Sequence, residues 1–213
     1  MKGARNMHTL SATEMSAGQH YKLLSGSIVP RPIAFVTTLS SVDAGVVNAA
    51  PFSFFNVVSA DPPLLSISVS RKNGEMKDTA RNILHNRELV IHSTDEATLA
   101  DINETAASLQ ADQSELKLTK FHVKPSEIVA VPGILEAKIR YECILHEHIP
   151  IMNDKGVITN DLILAKVVCY HISEEVYDTS TEYILIGSLK PVARLAGNEY
   201  AAIEKTFSIK RPT

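Results

Sequence analysis

Residues whose types and spacing suit chemistry fall into two clusters within the first 80 positions. The first runs from Thr37-Thr38 through a polar turn with Ser40, Ser41, Asp43 and Gly45 to Asn48-Ala49-Ala50-Pro51-Phe52-Ser53-Phe54-Phe55. Small residues let a backbone approach a flat ligand, and free amides and hydroxyls can hydrogen-bond to it. The backbone amides of Asn48 to Ala50 and the hydroxyls of Thr37, Thr38 and Ser53 are the candidate donors. The second cluster, Ser70-Arg71-Lys72-Asn73-Gly74-Glu75-Met76-Lys77-Asp78-Thr79, leaves a strand and starts a helix. A helix start offers unpaired amides and the positive end of a dipole. Arg71, Lys72 and Lys77 add charge and Thr79 a hydroxyl, a set that suits a phosphate monoester. Each feature also has a plain structural reading. Threonines are good strand residues, Asn48 satisfies a turn, and the charged turn is a solvated face with Asp78 or Thr79 near a cap.

Other chemistries find little support. Gly-x-Gly-x-x-Gly and Gly-Lys-Ser/Thr are absent, which argues against a Rossmann site and a P-loop. Gly26-Ser27 and Gly187-Ser188 lack the flanks of a nucleophile elbow, and no carboxylate pair stands out. His146-Glu147-His148 puts two imidazoles on one face of a strand. Two ligands without a third do not make a metal centre, so a polar strand end is the plainer reading and no metal is assigned. His171 follows Tyr170 at another strand end.

The elements that must position these residues are mostly strands. Ile33 to Leu39, Leu64 to Ser70 and Glu88 to Ser93 read as strands, the second by its alternation of Leu65, Ile67 and Val69 with serines. Val46 to Ala50 and Phe52 to Val58 form a strand region that Pro51 marks as an edge or bulge. Ile134 to Glu147 and Asp161 to Ile172 flank the turn Asn153-Asp154-Lys155-Gly156 and suit an antiparallel pair. Helices are predicted over Lys77 to Asn86, with Ala80, Ile83 and Leu84 on one face, and over Thr94 to Ala107, capped by Ser93 or Thr94. Tyr21 to Gly26 reads as a short helical turn or lead-in, Ser108 to Pro125 as an irregular surface excursion, and Tyr183 to Leu189 as a short strand or loop. The pattern is a mainly β (α+β) barrel with flanking helices.

The chain has 213 residues, 45% of them hydrophobic and 21% charged, with a formal net charge of −3. That suffices for one domain with a real core. The expectation is a single domain over residues 1–213 with its core at about 20–200. No basic excess points to nucleic acid or anionic membranes, and no apolar run reaches bilayer length. Met1 to Gln19 lacks a signal-like hydrophobic core, which makes a cytoplasmic location the default expectation. The two cysteines, Cys143 and Cys169, sit in β-like runs and read as buried free thiols.

The motifs Arg31-Pro32-Ile33-Ala34-x-x-Thr37-Thr38, Gly45-x-x-Asn48-x-Ala50-Pro51-Phe52-Ser53-x-Phe55 and Asp61-Pro62-Pro63 resemble, in order, the signature of flavin reductase-like proteins with an FMN-binding split barrel. The likeness extends from about Tyr21 to Tyr200. It implies a Greek-key split β-barrel of six or a similar number of strands, and a homodimer with FMN near the subunit interface. Lys77-Asp78-Thr79 matches the family's Lys-Asp-Thr before the phosphate-binding helix. The resemblance implies cofactor contacts from Arg31, Thr37, Thr38, Asn48, Ala49, Ala50, Ser53, Arg71, Lys77, Asp78 and Thr79. It also implies a histidine, loosely aligned with His171, near a transient NADH or NADPH site. Electrons would pass on to a flavin, oxygen, a partner monooxygenase or a small acceptor. Lys190 to Tyr200 resembles the family's closing motif, with Ala196 in place of a glycine and Arg194 and Tyr200 beside either the flavin pocket or the dimer interface. The absence of an obvious catalytic side chain agrees with chemistry carried by a cofactor. Two alternatives stay open: a flavin-binding electron carrier without NAD(P)H turnover, and a barrel without flavin, as a haem-binding relative or an interaction module.

Overall fold

Seven strands form one antiparallel sheet in the order β2-β1-β5-β8-β9-β4-β3. The computed structural model describes residues 6–41, 45–110 and 112–212, so Asp43 of the polar turn lies outside the described residues. In chain order the elements are α1 (Ala17–Ser27), β1 (Ala34–Leu39), β2 (Val47–Phe52), β3 (Phe55–Ala60), β4 (Pro63–Ser70), α2 (Asp78–Asn86), β5 (Glu88–Ser93) and α3 (Leu99–Glu104). They continue with β6 (Val123–Lys124), β7 (Gly133–Ile134), β8 (Ile139–Met152), β9 (Ile158–Ile172), β10 (Tyr177–Asp178), β11 (Tyr183–Ile184), α4 (Ile186–Leu189), β12 (Val192–Arg194) and β13 (Tyr200–Ala202).

The strand order forces the sheet to curl. β2 and β3 are its two outer strands, yet only Ser53 and Phe54 separate them. Three Cα steps span at most about 11 Å, whereas the edges of a flat seven-stranded sheet would lie about 29 Å apart. The sheet therefore rolls into a barrel split at the β2–β3 junction, with seven strands where about six were expected. Side chains follow from this shape. On β4, Leu65, Ile67 and Val69 enter the core and the alternating serines do not. They meet Ala34 and Val36 of β1, Leu89 and Ile91 of β5, Cys143 of β8 and Ile163 of β9, and α2 lays Ala80 and Ile83 into the same cluster. β1 is covered on both faces, since Phe35 packs with Ala49, Ile102 and Ile134 in a second cluster.

Four element predictions need revision. Tyr183 to Leu189, read as a short strand or loop, is strand β11 followed by helix α4. The lead-in at Tyr21 is part of a full helix, α1, opened by a capping box between Ser16 and Gln19. The helix expected over Thr94 to Ala107 shrinks to α3, because Asp95 and Thr98 exchange hydrogen bonds in a turn before it. Thr98 N–H reaches Asp95 Oδ1 at 2.9 Å and Asp95 N–H reaches Thr98 Oγ1 at 3.2 Å. Ser108 to Pro125 is more than a surface excursion. It contains a 3-10 turn at Glu115–Leu118 that buries Glu115, and its Leu116 and Phe121 pack against the Phe35 cluster. Cys143 is buried as expected, but Cys169 is only half-buried.

One buried charge ties three segments together. Asp161 on β9 is fully buried and accepts two bonds from Arg71, at 2.9 and 2.8 Å, and one from His148 on β8, at 2.9 Å. Burial pushes this carboxyl up, but the bonds from Arg71 and His148 outweigh it and hold it below the usual carboxylate range. A lowered folded-state value means the contribution is complete above the unfolded value and is lost as pH falls through the folded one. Asp161→Asn is expected to lower the urea-unfolding free energy at neutral pH, because Arg71 and His148 lose the buried carboxylate that both bind. As pH falls below the lowered folded-state value of Asp161, the variant and parent should converge in stability.

Candidate functional site

The site is built on the outward edge of β2. Ser40 N–H donates to Val46 O at 2.8 Å, which sets the phase of the β1–β2 ladder. Hydrogen-bonded pairs alternate along antiparallel strands, so Asn48 and Ala50 turn their main-chain groups to β1 while Val47, Ala49 and Pro51 face away. An open edge is a liability, and this one is closed residue by residue. Ser114 Oγ donates to Val47 O at 2.6 Å, Ala49 N–H donates to Glu115 Oε2 at 3.0 Å, and Pro51 has no N–H to leave open. The expectation that amides of Asn48 to Ala50 face a ring is therefore not met. Two serve the sheet and the third serves Glu115.

Side chains behind this edge form a closed polar network. Asn48 Nδ2 donates to both oxygens of Glu115, at 2.9 and 3.0 Å. Asn48 Oδ1 accepts from Thr79 Oγ1 at 2.9 Å and from Thr38 Oγ1 at 3.2 Å. Thr38 Oγ1 in turn accepts from Asn82 Nδ2 at 3.1 Å, and Asn82 Oδ1 accepts from Ser41 N–H at 3.0 Å. Asn48 and Glu115 are each only 6% exposed. Burial raises the Glu115 pKa, the bonds from Ala49 and Asn48 only partly oppose it, and the nearby Asp78 charge adds to the rise.

A cavity of about 470 Å³ opens beside this network. Asn48, Ala50, Pro51 and Phe52 form its floor, Thr105 to Leu109 and Glu115 one side, and Lys72, Lys77 and the start of α2 another. Lys77 is the N-cap of α2 but makes no side-chain bond to the first turn. The helix start is thus left to water or an anion. Lys72, Lys77 and Arg81 bring three cations to the same wall, with Asp78 paired to Arg81. A smaller cavity of about 210 Å³ shares Pro51, Phe52 and Ala106 and adds Ser53, Arg194 and Tyr200. The Arg194 guanidinium lies 4.5 Å from the centre of the Tyr200 ring.

Asn48, Ala50, Lys77, Asp78 and Thr79 line the main cavity and Ser53 the smaller one. The remaining candidates are engaged elsewhere. Arg31 is buried and donates to the carbonyls of Ser25, Ile28 and Leu195, clamping α1 to the C-terminal segment. Thr37 Oγ1 donates to Pro132 O at 2.7 Å, and Thr38 stands behind Asn48. Ala49 is fully buried. Arg71 is turned to Asp161 and does not line the cavity. His171 lines a different cavity, with Lys124, Lys138 and Arg140, and its Nε2 lies 2.6 Å from Glu142 Oε1. Cys169 is near this pair, but Glu142 already accepts three backbone amides, from Glu127, Ile128 and Val129. Sequence reasoning missed Glu115 and Arg81. Arg81 stands four residues after Lys77 on one helix face, a signal present in the sequence, whereas nothing local marks Glu115 as buried.

Residues 25–187 match the family described as flavin reductase like domain. The chain belongs to the flavin reductase-like family. It is 57% identical to YwrF of Bacillus subtilis over 207 residues, covering 97% of this chain and all of the relative. Component B of nitrilotriacetate monooxygenase from Bacillus cereus superposes with a TM-score of 0.92 at 44% identity, over 97% of this chain and 100% of that one. The 2-nitrobenzoate 2-nitroreductase NbaA of Pseudomonas fluorescens gives 0.85 at 30%, over 97% of both. The split barrel expected from the motifs is thus the fold of this flavin reductase-like chain, and it is an oxidoreductase-type flavoprotein fold. No helix among the described residues is long and apolar enough to cross a membrane.

The Asn48 network makes a stability prediction. Asn48→Ala removes the partner of Thr38, Thr79 and Glu115 at once, leaving a buried carboxylate with one donor. Unfolding free energy should fall by about 2–3 kcal/mol, measured by urea titration of the flavin-free protein.

Proposed function

We propose that this chain is an FMN-dependent oxidoreductase that takes hydride from NADH or NADPH and delivers it to a flavin, oxygen or a small acceptor. The carrying observation is the union, in one cavity, of an uncapped helix start ringed by three cations and a flat strand floor of Ala50, Pro51 and Phe52. The cavity volume lies in the usual range for small-molecule and cofactor sites, about 300–1,000 Å³. The first turn of α2 with Lys72, Lys77 and Arg81 would hold the phosphate. Ala50, Pro51 and Phe52 would support the ring and shield one side from water, while Asn48 and Thr79 fix the wall between. Bound FMN supplies the hydride chemistry itself. Arg31, Thr37, Thr38 and Arg71 act at one remove in this reading, by holding the elements that carry the wall.

The relatives support the same class of activity. One is named as the B component of a monooxygenase and another as a nitroreductase. We assign this chain the role of reductase, with a partner monooxygenase or a small electrophile as acceptor, and the homodimer as its working form. A flavin electron carrier without NAD(P)H turnover is the competing reading.

The test is the visible spectrum of the purified protein after dialysis and after denaturation, with FMN added to a parallel apo sample. Flavin bands, or binding of added FMN, followed by oxidation of NADH or NADPH, uphold the proposal. Bound flavin without nicotinamide oxidation favours the carrier, and no flavin binding at all rejects both. Lys77→Ala should weaken FMN binding roughly tenfold, about 1.4 kcal/mol, and leave riboflavin, which lacks the phosphate, unaffected. Equal losses for both ligands would place the phosphate elsewhere.

A further inference from the structure

We propose that Glu115 is the positioning residue of the flavin cavity, and that flavin is retained only while its carboxylate is ionised. The inference rests on the flavin reading above. Its grounds are geometric. Glu115 sits on the turn Glu115–Leu118, and no main-chain ladder ties that turn to β2. The joint is made by side chains: Ser114 on Val47 O, and Glu115 on Ala49 N–H and Asn48 Nδ2. A carboxylate is acceptor-only, with about four lone-pair sites, and here three donor contacts converge on it. The Asn48 amide is thereby locked with Nδ2 toward Glu115 and Oδ1 toward Thr79, at the floor of the cavity.

A neutral carboxyl changes this arrangement. It keeps one acceptor oxygen but turns the other into an O–H donor, so the two oxygens that now receive Asn48 Nδ2 and Ala49 N–H are reduced to one. Where the O–H meets the Asn48 NH2 group, the amide turns and Thr79 and Thr38 lose their acceptor, or the turn withdraws from β2 and the cavity loses a wall. The proton is accepted above the ordinary glutamate range, because burial outweighs the bonds from Ala49 and Asn48, and Asp78 adds to the effect. The other charged groups lining the cavity are Lys72, Glu75, Lys77, Asp78 and Arg81, and no histidine is among its described lining residues. On α3, which packs beside the turn, Asp101 and Glu104 are outside that lining. A change in flavin affinity between neutrality and the ordinary carboxylate range is assigned to Glu115 where it tracks the Ala49 amide, which donates to Glu115 Oε2. The FMN phosphate also titrates near about pH 6, so riboflavin is the cleaner probe.

Linkage gives this role a signature. With a raised folded-state value, the folded chain takes up the Glu115 proton more readily than the unfolded chain. The contribution of Glu115 to folding stability therefore increases as pH falls from above the folded value toward the unfolded one. Flavin affinity falls over that same window. A residue that only supports the fold would move both quantities together.

The experiment is a riboflavin titration of the full-length flavin-free protein, followed by fluorescence quenching from neutral pH down to just above the ordinary glutamate value. Melting temperature and the amide resonance of Ala49 are followed in parallel. The expected result is an affinity loss of about tenfold or more, tracked by the Ala49 resonance, with no matching drop in melting temperature. Glu115→Gln should bind weakly at every pH in the window. Pairing it with Asn48→Asp, which exchanges the amide and the carboxylate, should restore part of the affinity. A pH-independent affinity in the parent protein, or parent-like binding by Glu115→Gln, overturns the proposal and leaves the flavin reading intact. Failure of the parent to bind flavin at any pH removes both. If Glu115→Gln does not fold, the pH profile of the parent decides alone.

Discussion

Ser53 and Phe54 join the two outer strands of a seven-stranded sheet, and much of the molecule follows from that short link. The sheet cannot lie flat, so it closes on itself and gathers the inward side chains of β1, β4, β5, β8 and β9 into one core. The closure is incomplete, because β2 pairs with β1 and not with β3. A free edge remains on β2 beside the junction, and free edges must be capped by something. The cap here is a segment far away in sequence, Ser114 and Glu115, together with a proline in the strand itself. The cavity lies where edge, cap and the start of α2 meet, so the site is a by-product of how the barrel stops short of closing.

The same economy explains why so many candidate ligand contacts are turned inward. Buried polar groups are costly when unpaired, about 1–3 kcal/mol each. Thr38, Asn48, Thr79, Asn82 and Glu115 satisfy one another almost completely. They stiffen the wall of a cavity without each needing to touch what fills it. Arg71 illustrates the difference between charge and availability. Its pairing with a fully buried Asp161 fixes the end of β4 against β9, and at the cavity Lys72 and Lys77 remain, while Arg81 is engaged by Asp78.

Elements with a local signal were readable in the sequence. The period of two in β4, the apolar face of α2 and the hairpin turn between β8 and β9 all emerged where expected. The motifs between Arg31 and Thr79 fall in the part of the chain that lines the cavity beside β2 and the start of α2. What stayed hidden depends on distant partners. Whether Ala49 N–H is free is decided by Glu115, 66 positions away, and whether Arg71 is free by Asp161, 90 positions away. The Asp95–Thr98 turn cut short a helix that propensity alone would have extended. Glu115 in a polar stretch reads as surface because composition cannot register that a strand edge needs an acceptor there.

Placing the positive charge on one wall has a consequence for a chain whose net charge is −3. An anionic ligand is repelled by the molecule as a whole and attracted only locally. The local field must then come from close, oriented donors, since screening removes interactions beyond about 10 Å at ordinary ionic strength. The uncapped start of α2 meets that need, because its amides and dipole act within the first turn and its neighbours Lys72, Lys77 and Arg81 stand at the same wall. Glu115 and Asp78 oppose that field, and Asp78 is offset by Arg81. Among the described residues Glu115 has no cationic partner, and its donors are the neutral Ala49 N–H and Asn48 Nδ2. Its charge therefore stands against the field that the α2 start and its lysines supply, and it is the bonds from Ala49 and Asn48, not a cation, that keep it in place.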